Sequence, residues 1–146
     1  MKLHKKEIAR RQIETALDLF FVQGDVLSII TLAGAGEEIL GKLLQRAGEP
    51  CMMNHIIDLD KHLTGTGREF KVVNEEVNGI RNSLKHAEKA AEDELEVDPE
   101  HAVAMLARAV VNYVSLEGST TPLMYRFYKH LQLLHPDICL KSLDRV

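Results

Sequence analysis

The spacing of apolar residues, interrupted at intervals by glycine and proline, is the feature that most restricts how this chain can fold. Apolar positions between residues 73 and 87 recur at alternating intervals of four and three. An α-helix turns once every 3.6 residues, so this period puts them on one helical face. No segment has the strict alternation of apolar and polar residues that is typical of a half-buried strand. The pattern therefore predicts an all-α protein.

Turn-forming residues divide the chain into six predicted helical segments. Gly24, Gly48 with Pro50, and Gly65 with Gly67 end the first three, while Asp98-Pro99 and Thr121-Pro122 are helix start signals. The chain has 146 residues and 45% hydrophobic content, enough for one core without metal or disulfide support. We predict a single domain over 1–146, a compact antiparallel bundle of five to six helices with a short, loosely docked tail from about residue 136. The predicted spans are 5–23, 25–46, 51–63, a fourth helix through 73–87, 99–116 and 121–134.

The second segment is expected to lie at the centre of the bundle. It is apolar almost all round as far as Gly36, and a helix with that pattern is usually buried. Four small residues at 33–36 would let a neighbouring helix approach closely. Glu37 and Glu38 follow directly, at the edge of the apolar part, where a carboxylate usually has a partner. Arg81 is the obvious candidate, and a Glu37–Arg81 ion pair, structural or catalytic, would hold the arginine in place.

Charge and cysteine content limit the classes of function. A net charge of −4 argues against a broad nucleic-acid-binding surface, because such surfaces neutralise phosphates with Lys and Arg. Any contact with RNA should therefore be local. Cys51 and Cys139 lie far apart and form no metal-binding or redox pair, so they are expected to be free thiols. With no apolar run resembling a secretory signal or a membrane span, the sequence predicts no membrane association and a cytoplasmic location.

Arg81, Asn82 and His86 combine the side chains needed to act on a phosphate ester. Histidine can give or take a proton near neutral pH, and arginine is always charged and offers several donors to a phosphate. The segment 79–86, GIRNSLKH, resembles the active-site motif of the HEPN superfamily of all-helical ribonucleases. In that motif an arginine, a polar neighbour and a histidine four to six positions later cleave RNA without metal. The resemblance to the HEPN superfamily covers this one motif and the all-helical arrangement of the chain.

The resemblance implies a HEPN-like fold and a metal-independent endoribonuclease of the toxin or RNA-processing type, with no cofactor. Arg81, Asn82 and His86 would be its catalytic residues, and the products would be a 2′,3′-cyclic phosphate and a 5′-hydroxyl. On one straight helix Arg81 and His86 point more than a right angle apart, which does not make a tight pair. The symmetric homodimer that the resemblance implies would bring two arginines and two histidines into one cleft.

Glu37, Asn78 and Lys85 are the predicted supporting residues. The periodicity of the fourth helix places Asn78, Asn82 and His86 opposite its apolar face, with Arg81 on the flank between the two. The same residues are also compatible with an ordinary solvated helix face that has no function.

Two other functions remain open. A HEPN-like domain can act as a non-catalytic nucleotide-binding or protein-interaction module, often beside a nucleotidyltransferase-like partner such as an antitoxin. In the third segment, His55, Asp58 and His62 are spaced by three and four residues, which puts them on one polar face able to chelate a divalent transition metal. That face could equally be an ordinary surface stripe.

Overall fold

The computed structural model describes residues 1–64, 68–90 and 93–134, except for the side chains at 58–60, 62–64, 70 and 71. This part of the chain is all-helical and contains no strand, which confirms the predicted all-α bundle. The predicted tail from residue 136 lies outside the described residues. The helices are α1 (Lys5–Phe21), α2 (Val26–Arg46), α3 (Met52–Thr64), α4 (Phe70–Ser83), α5 (Pro99–Glu117) and α6 (Pro122–Leu134).

Local side-chain chemistry fixes several helix ends close to the predicted positions. Asp25 caps α2, where its carboxylate accepts a hydrogen bond from the Ser28 backbone N–H at 2.8 Å. Asp98 caps α5 in a reciprocal arrangement, because the His101 ring also accepts from the Asp98 backbone N–H at 3.1 Å. Gly118 ends α5 with a φ of 76°, a left-handed conformation that glycine adopts without a steric penalty.

Helix α2 is central, as the sequence predicts, and packs along α1 and α5. The turn between α1 and α2 spans only four residues, so the two helices run antiparallel. Helix α6 closes the other side of α1, where the Phe20 and Phe127 rings meet edge to face with centroids 5.3 Å apart. The apolar positions predicted for α5 are all buried: Ala102, Leu106, Ala109, Val110 and Tyr113.

A small residue at position 36 allows the close contact between α1 and α2. A Cβ added to Gly36 would lie 2.6 Å from Ile13 Cγ1 and 3.1 Å from the Ala9 carbonyl oxygen. By contrast, a Cβ added to Gly79 in α4 would meet nothing within 4 Å. Packing therefore requires a glycine at position 36, whereas an alanine would fit at position 79.

This difference gives a matched pair of substitutions. Gly36→Ala is expected to lower the free energy of unfolding by about 1–3 kcal/mol, because the added methyl overpacks the helix contact. Gly79→Ala should raise it by about 0.5–1 kcal/mol, since alanine is the better helix former and has room here. Urea denaturation of the two variants and the parent measures both. A stabilising Gly36→Ala would contradict the close packing of α1 on α2.

Helices α3 and α4 pack against the end of this core through a smaller apolar cluster of Leu44, Cys51, Met53 and Val73. Cys51 is a buried free thiol, as predicted, and Cys139 falls outside the described residues. Asn112 of α5 binds the first residue of α3, because its side-chain oxygen accepts a hydrogen bond from the Met52 backbone N–H at 2.7 Å. Over the described ranges no helix has the length and apolar composition needed to cross a membrane.

Candidate functional site

The predicted motif lies at the C-terminal end of α4 and continues beyond it. Arg81 and Asn82 belong to the last turn, the helix ends at Ser83, and Leu84 is the C-cap. Lys85 and His86 therefore follow the helix rather than forming part of it. Because the chain leaves the helix between Arg81 and His86, the straight-helix spacing expected from the sequence does not describe their relation.

Arg81 is directed into the protein, towards α2. Its Nη1 donates to Glu37 Oε2 at 3.1 Å, and the two side chains are only 10% and 5% exposed. This is the ion pair predicted from the sequence. The arginine crosses α2 at Gly34, where an added Cβ would lie 2.4 Å from Arg81 Cδ. A glycine at position 34 thus leaves the room in which the Arg81 side chain lies.

Glu37 has a second cationic partner that the sequence reasoning missed. Arg108 of α5, with its side chain 7% exposed, donates from Nη2 to Glu37 Oε1 at 2.9 Å. Asn112, one turn later on α5, donates to the Glu37 carbonyl oxygen at 3.2 Å. Both groups lie inside the apolar run 102–114, and an arginine and an asparagine one turn apart in such a run were the available signal.

The predicted position of Asn78 is wrong. The periodicity of α4 placed it opposite the apolar face, but it is 2% exposed and lies inside the protein. Its Nδ2 donates to Asn74 Oδ1 at 2.7 Å. The cause is the ion pair between Arg81 and the buried Glu37. Because Arg81 reaches Glu37, the polar flank of α4 faces the protein interior. Three apolar residues of the predicted core face are then only half-buried: Val77, Ile80 and Leu84.

The other motif residues lie nearer the surface. Asn82 is half-buried, and its Oδ1 accepts from Arg81 Nε at a long 3.4 Å. Lys85 is exposed. His86 is exposed as well, and its Nδ1 lies 3.9 Å from Glu88 Oε1, too far for a good hydrogen bond. The imidazole is therefore open to solvent and to a partner molecule.

A cleft of about 530 Å³, here called the α2–α4 cleft, runs beside Arg81. Its floor is apolar and its rim is mainly basic, a combination typical of sites that bind small ligands or segments of a larger one. Ala35, Ile39, Leu43 and Leu84 provide apolar lining, and Lys5, Lys42, Arg46, Arg81 and Lys85 provide the positive charges, with Glu38 as the one carboxylate.

Within the described part of the chain, no salt bridge engages Lys5, Lys42, Arg46 or Lys85. The basic residues of α1 just beyond Lys5 are, by contrast, neutralised locally. Arg10 and Arg11 both donate to Glu7 and lower the pKa of that carboxyl group to about 2, and Lys6 pairs with Glu117 at 2.9 Å.

The alternative metal site cannot be assembled from the described residues. His55 is exposed on α3, but the side chains of Asp58 and His62 lie outside the description. Among the residues that are described, no three His, Cys, Asp or Glu side chains come together in a way that could hold a metal ion. The hypothesis of a metal-binding α3 face thus stays a prediction.

Comparisons of the chain with protein-family models, with curated proteins and with solved structures find no match.

Proposed function

We propose that the protein is a metal-independent endoribonuclease of the toxin or RNA-processing type, which acts in the cytoplasm. One observation carries the proposal most directly: Arg81, held by the buried Glu37, lines a cleft with a basic rim. The solvent-exposed His86 is the next residue in sequence after Lys85, which belongs to that rim. A fixed guanidinium and local positive charge can stabilise the charge that develops on a phosphate, and an accessible imidazole can transfer protons, which are the two tasks of metal-free RNA cleavage.

In the proposed reaction His86 assists proton transfer at the scissile phosphate. The ribose 2′-oxygen attacks the adjacent phosphorus as its proton is removed, the bond from phosphorus to the 5′-oxygen breaks, and that oxygen takes up a proton. Arg81 stabilises the negative charge that develops on the phosphate oxygens, and Asn82 orients Arg81 or the phosphate. The products are a 2′,3′-cyclic phosphate and a 5′-hydroxyl.

The α2–α4 cleft is the proposed binding site for the RNA strand. Phosphates would contact the rim cations, and a base would lie on the apolar floor formed by residues such as Ala35 and Ile39. Such a site concentrates positive charge on one part of a protein whose net charge is −4. It fits the expectation that any contact with RNA is local.

A second copy of the chain is proposed to complete the site. Arg81 lines the cleft and is held by Glu37, whereas His86 is exposed beyond the end of α4 and is not part of the cleft lining. Next to the cleft, Leu27, Leu32 and Leu84 line a shallow groove, and Leu27 is 44% exposed. An apolar patch that adjoins the motif suits a symmetric contact that brings two His86 side chains together.

The direct test is cleavage of a labelled single-stranded RNA by the purified protein in excess EDTA. We expect fragments with 2′,3′-cyclic phosphate ends, and sedimentation of the protein as a dimer at micromolar concentration. Cleavage that depends on added metal would contradict the proposed chemistry. A protein that stays monomeric with RNA present would contradict the composite site.

A second candidate function is a non-catalytic module that binds a nucleotide or a partner protein, including a nucleotidyltransferase-like antitoxin. The observation that favours it is the burial of Arg81, whose guanidinium is already engaged by Glu37 and whose side chain is only 10% exposed. Under this alternative the labelled RNA would remain intact in EDTA, whether or not it binds to the basic cleft. The same assay therefore separates the two functions.

A further inference from the structure

Glu37 joins two guanidinium groups, of which one reaches the α2–α4 cleft. Its Oε2 accepts from Arg81 Nη1 at 3.1 Å, and its Oε1 accepts from Arg108 Nη2 at 2.9 Å. Arg81 is among the described residues that line the cleft, and Arg108 is not. Arg108 therefore makes no contact with a strand bound in the cleft, yet it shares the carboxylate that holds Arg81.

Part of the Arg81 guanidinium has no protein partner. Its Nη1 binds Glu37, and its Nε lies a long 3.4 Å from Asn82 Oδ1. Its Nη2 makes no hydrogen bond within the described part of the chain, and it is not one of the buried atoms that lack a partner. This nitrogen therefore keeps accessible surface. Because Arg81 lines the cleft, Nη2 is the donor that it can offer to a phosphate oxygen there.

The bond from Arg108 explains why Nη2 of Arg81 is available. An arginine and a carboxylate frequently pair through two parallel hydrogen bonds, one to each carboxylate oxygen, and such a pair occupies two guanidinium nitrogens. Here Arg108 engages Oε1 of Glu37, so Arg81 is bound through Oε2 alone. Without Arg108, Oε1 would lose its partner in a buried site, and the second nitrogen of Arg81 is the donor that could replace it.

Charge acts in the same direction as geometry. Five charged side chains line the cavity beneath α4 that contains the Glu37 carboxylate: Arg81, Arg108, Lys42, Glu37 and Glu38. Three cations and two anions leave one positive charge, and removal of Arg108 would leave none. Lys42 and Glu38 are exposed, so water screens them and they affect Arg81 less than its buried neighbours do. Arg108 thus also keeps Arg81 from being neutralised by Glu37.

We propose that Arg108 is a positioning residue: by holding one oxygen of Glu37, it leaves Arg81 Nη2 free to bind a phosphate group of the RNA strand. Arg108 itself touches neither the strand nor the reacting atoms. The inference rests on the proposed binding of RNA in the α2–α4 cleft, and it assigns one phosphate contact of that site to a single nitrogen. It does not require that the bound strand is cleaved.

The test is binding of a labelled single-stranded RNA to the purified full-length chain and to Arg108→Met, measured by fluorescence anisotropy in EDTA. The RNA carries 2′-O-methyl riboses, so it cannot be cleaved through its 2′-oxygens. Methionine is similarly long and uncharged, and it leaves Arg81 and Glu37 as a matched ion pair. We expect Arg108→Met to bind the RNA at least about tenfold more weakly, the typical effect of losing one hydrogen bond to a charged group.

The salt dependence of binding distinguishes a lost phosphate contact from a general defect. The slope of log affinity against log salt should become shallower by about 0.7 in Arg108→Met, the contribution of one phosphate contact to a single strand. A variant that is merely less stable would lose active protein without this change of slope. Equal affinities and equal slopes for the parent and Arg108→Met would overturn the proposal.

The double variant Arg108→Met/Glu37→Gln should restore binding. A glutamine amide has one oxygen that can accept from Arg81, and its NH₂ group cannot accept, so Nη2 of Arg81 is free again. The positive charge of Arg81 is also no longer neutralised. We expect the affinity and the salt slope to return to the parental values, which a structural role for Arg108 would not produce. A folded double variant that binds as weakly as Arg108→Met would contradict the proposal.

Lys129→Met is the control for the loss of one positive charge. Lys129 is exposed on α6 and is not among the residues that line the cleft, so this variant should bind RNA as the parent does. Urea denaturation checks that each variant is folded. If the double variant does not fold, the affinity and salt slope of Arg108→Met still decide, because its remaining buried ion pair is matched.

The outcomes separate this inference from the ribonuclease proposal. If the parent binds RNA, shows the loss and the rescue, but cleaves no RNA that has free 2′-hydroxyls, the role of Arg108 is supported and the ribonuclease proposal is wrong. If the parent cleaves RNA and Arg108→Met binds it equally well, the role of Arg108 alone is wrong. A parent that does not bind RNA would contradict both.

Discussion

Replacing Glu37 by glutamine is expected to lower the free energy of unfolding by about 3–5 kcal/mol, the typical cost of breaking a buried ion pair from one side. The carboxylate is 5% exposed and binds Arg81 and Arg108 at once. Glutamine has nearly the same shape but no charge, and its amide NH₂ must face one of the two guanidiniums. Two buried cations would then have no anion. Urea denaturation followed by circular dichroism measures the loss.

The neighbouring residue provides the control for this substitution. Glu38 is exposed and takes part in no salt bridge within the described part of the chain, so Glu38→Gln should change the free energy of unfolding by less than about 0.5 kcal/mol.

If Glu37→Gln is too unstable to purify, a triple replacement of Glu37, Arg81 and Arg108 by methionine should recover folding, because it removes all three charges of this buried network together. Similar free energies of unfolding for Glu37→Gln and Glu38→Gln would show that the Glu37 ion pairs do not stabilise the protein.

The helices themselves were predictable because their determinants are local. Asp25, Asp98 and Gly118 act through hydrogen bonds to their own chain neighbours, and such signals can be found without knowledge of the rest of the fold. Close packing at Gly34 and Gly36 was also foreseeable, since small residues in an apolar helix leave room for a neighbour. Periodicity and caps therefore carried the prediction of the bundle.

The orientation of α4 was not predictable from its own periodicity. Its apolar stripe is regular, yet the helix is turned by an interaction with residues far away in sequence, the Arg81–Glu37 ion pair that spans 44 positions. That pair was predicted from charge alone, but its consequence for Asn78 was not drawn. Arg108 was missed because one arginine in an apolar helix can also extend its charged end to solvent. Only the fold shows that it points at Glu37.

Replacing His86 by alanine is expected to lower the rate of RNA cleavage about 10²- to 10⁴-fold, the usual contribution of a group that transfers a proton in the transition state. The stability of the protein should hardly change. The imidazole is 54% exposed, and Glu88, at 3.9 Å, is its one ion-pair neighbour among the described residues. A large kinetic loss without a loss of stability would identify a chemical role, which a structural residue could not imitate. Single-turnover cleavage in excess EDTA measures the rate, and thermal unfolding checks the fold.

His55→Ala is the matched control, and it also tests the alternative metal site. His55 is exposed on α3, so its removal costs the fold as little as the removal of His86. If the ribonuclease proposal is right, this variant cleaves RNA at the parental rate in EDTA, because no metal ligand takes part. Equal losses in both variants would indicate that cleavage also depends on the α3 face. An unchanged rate in His86→Ala would remove the histidine from the mechanism. His86→Ala tests the histidine, because it should lower the rate of cleavage and leave the stability unchanged. Glu37→Gln tests the buried Arg81 ion pair, because its first effect should be on stability.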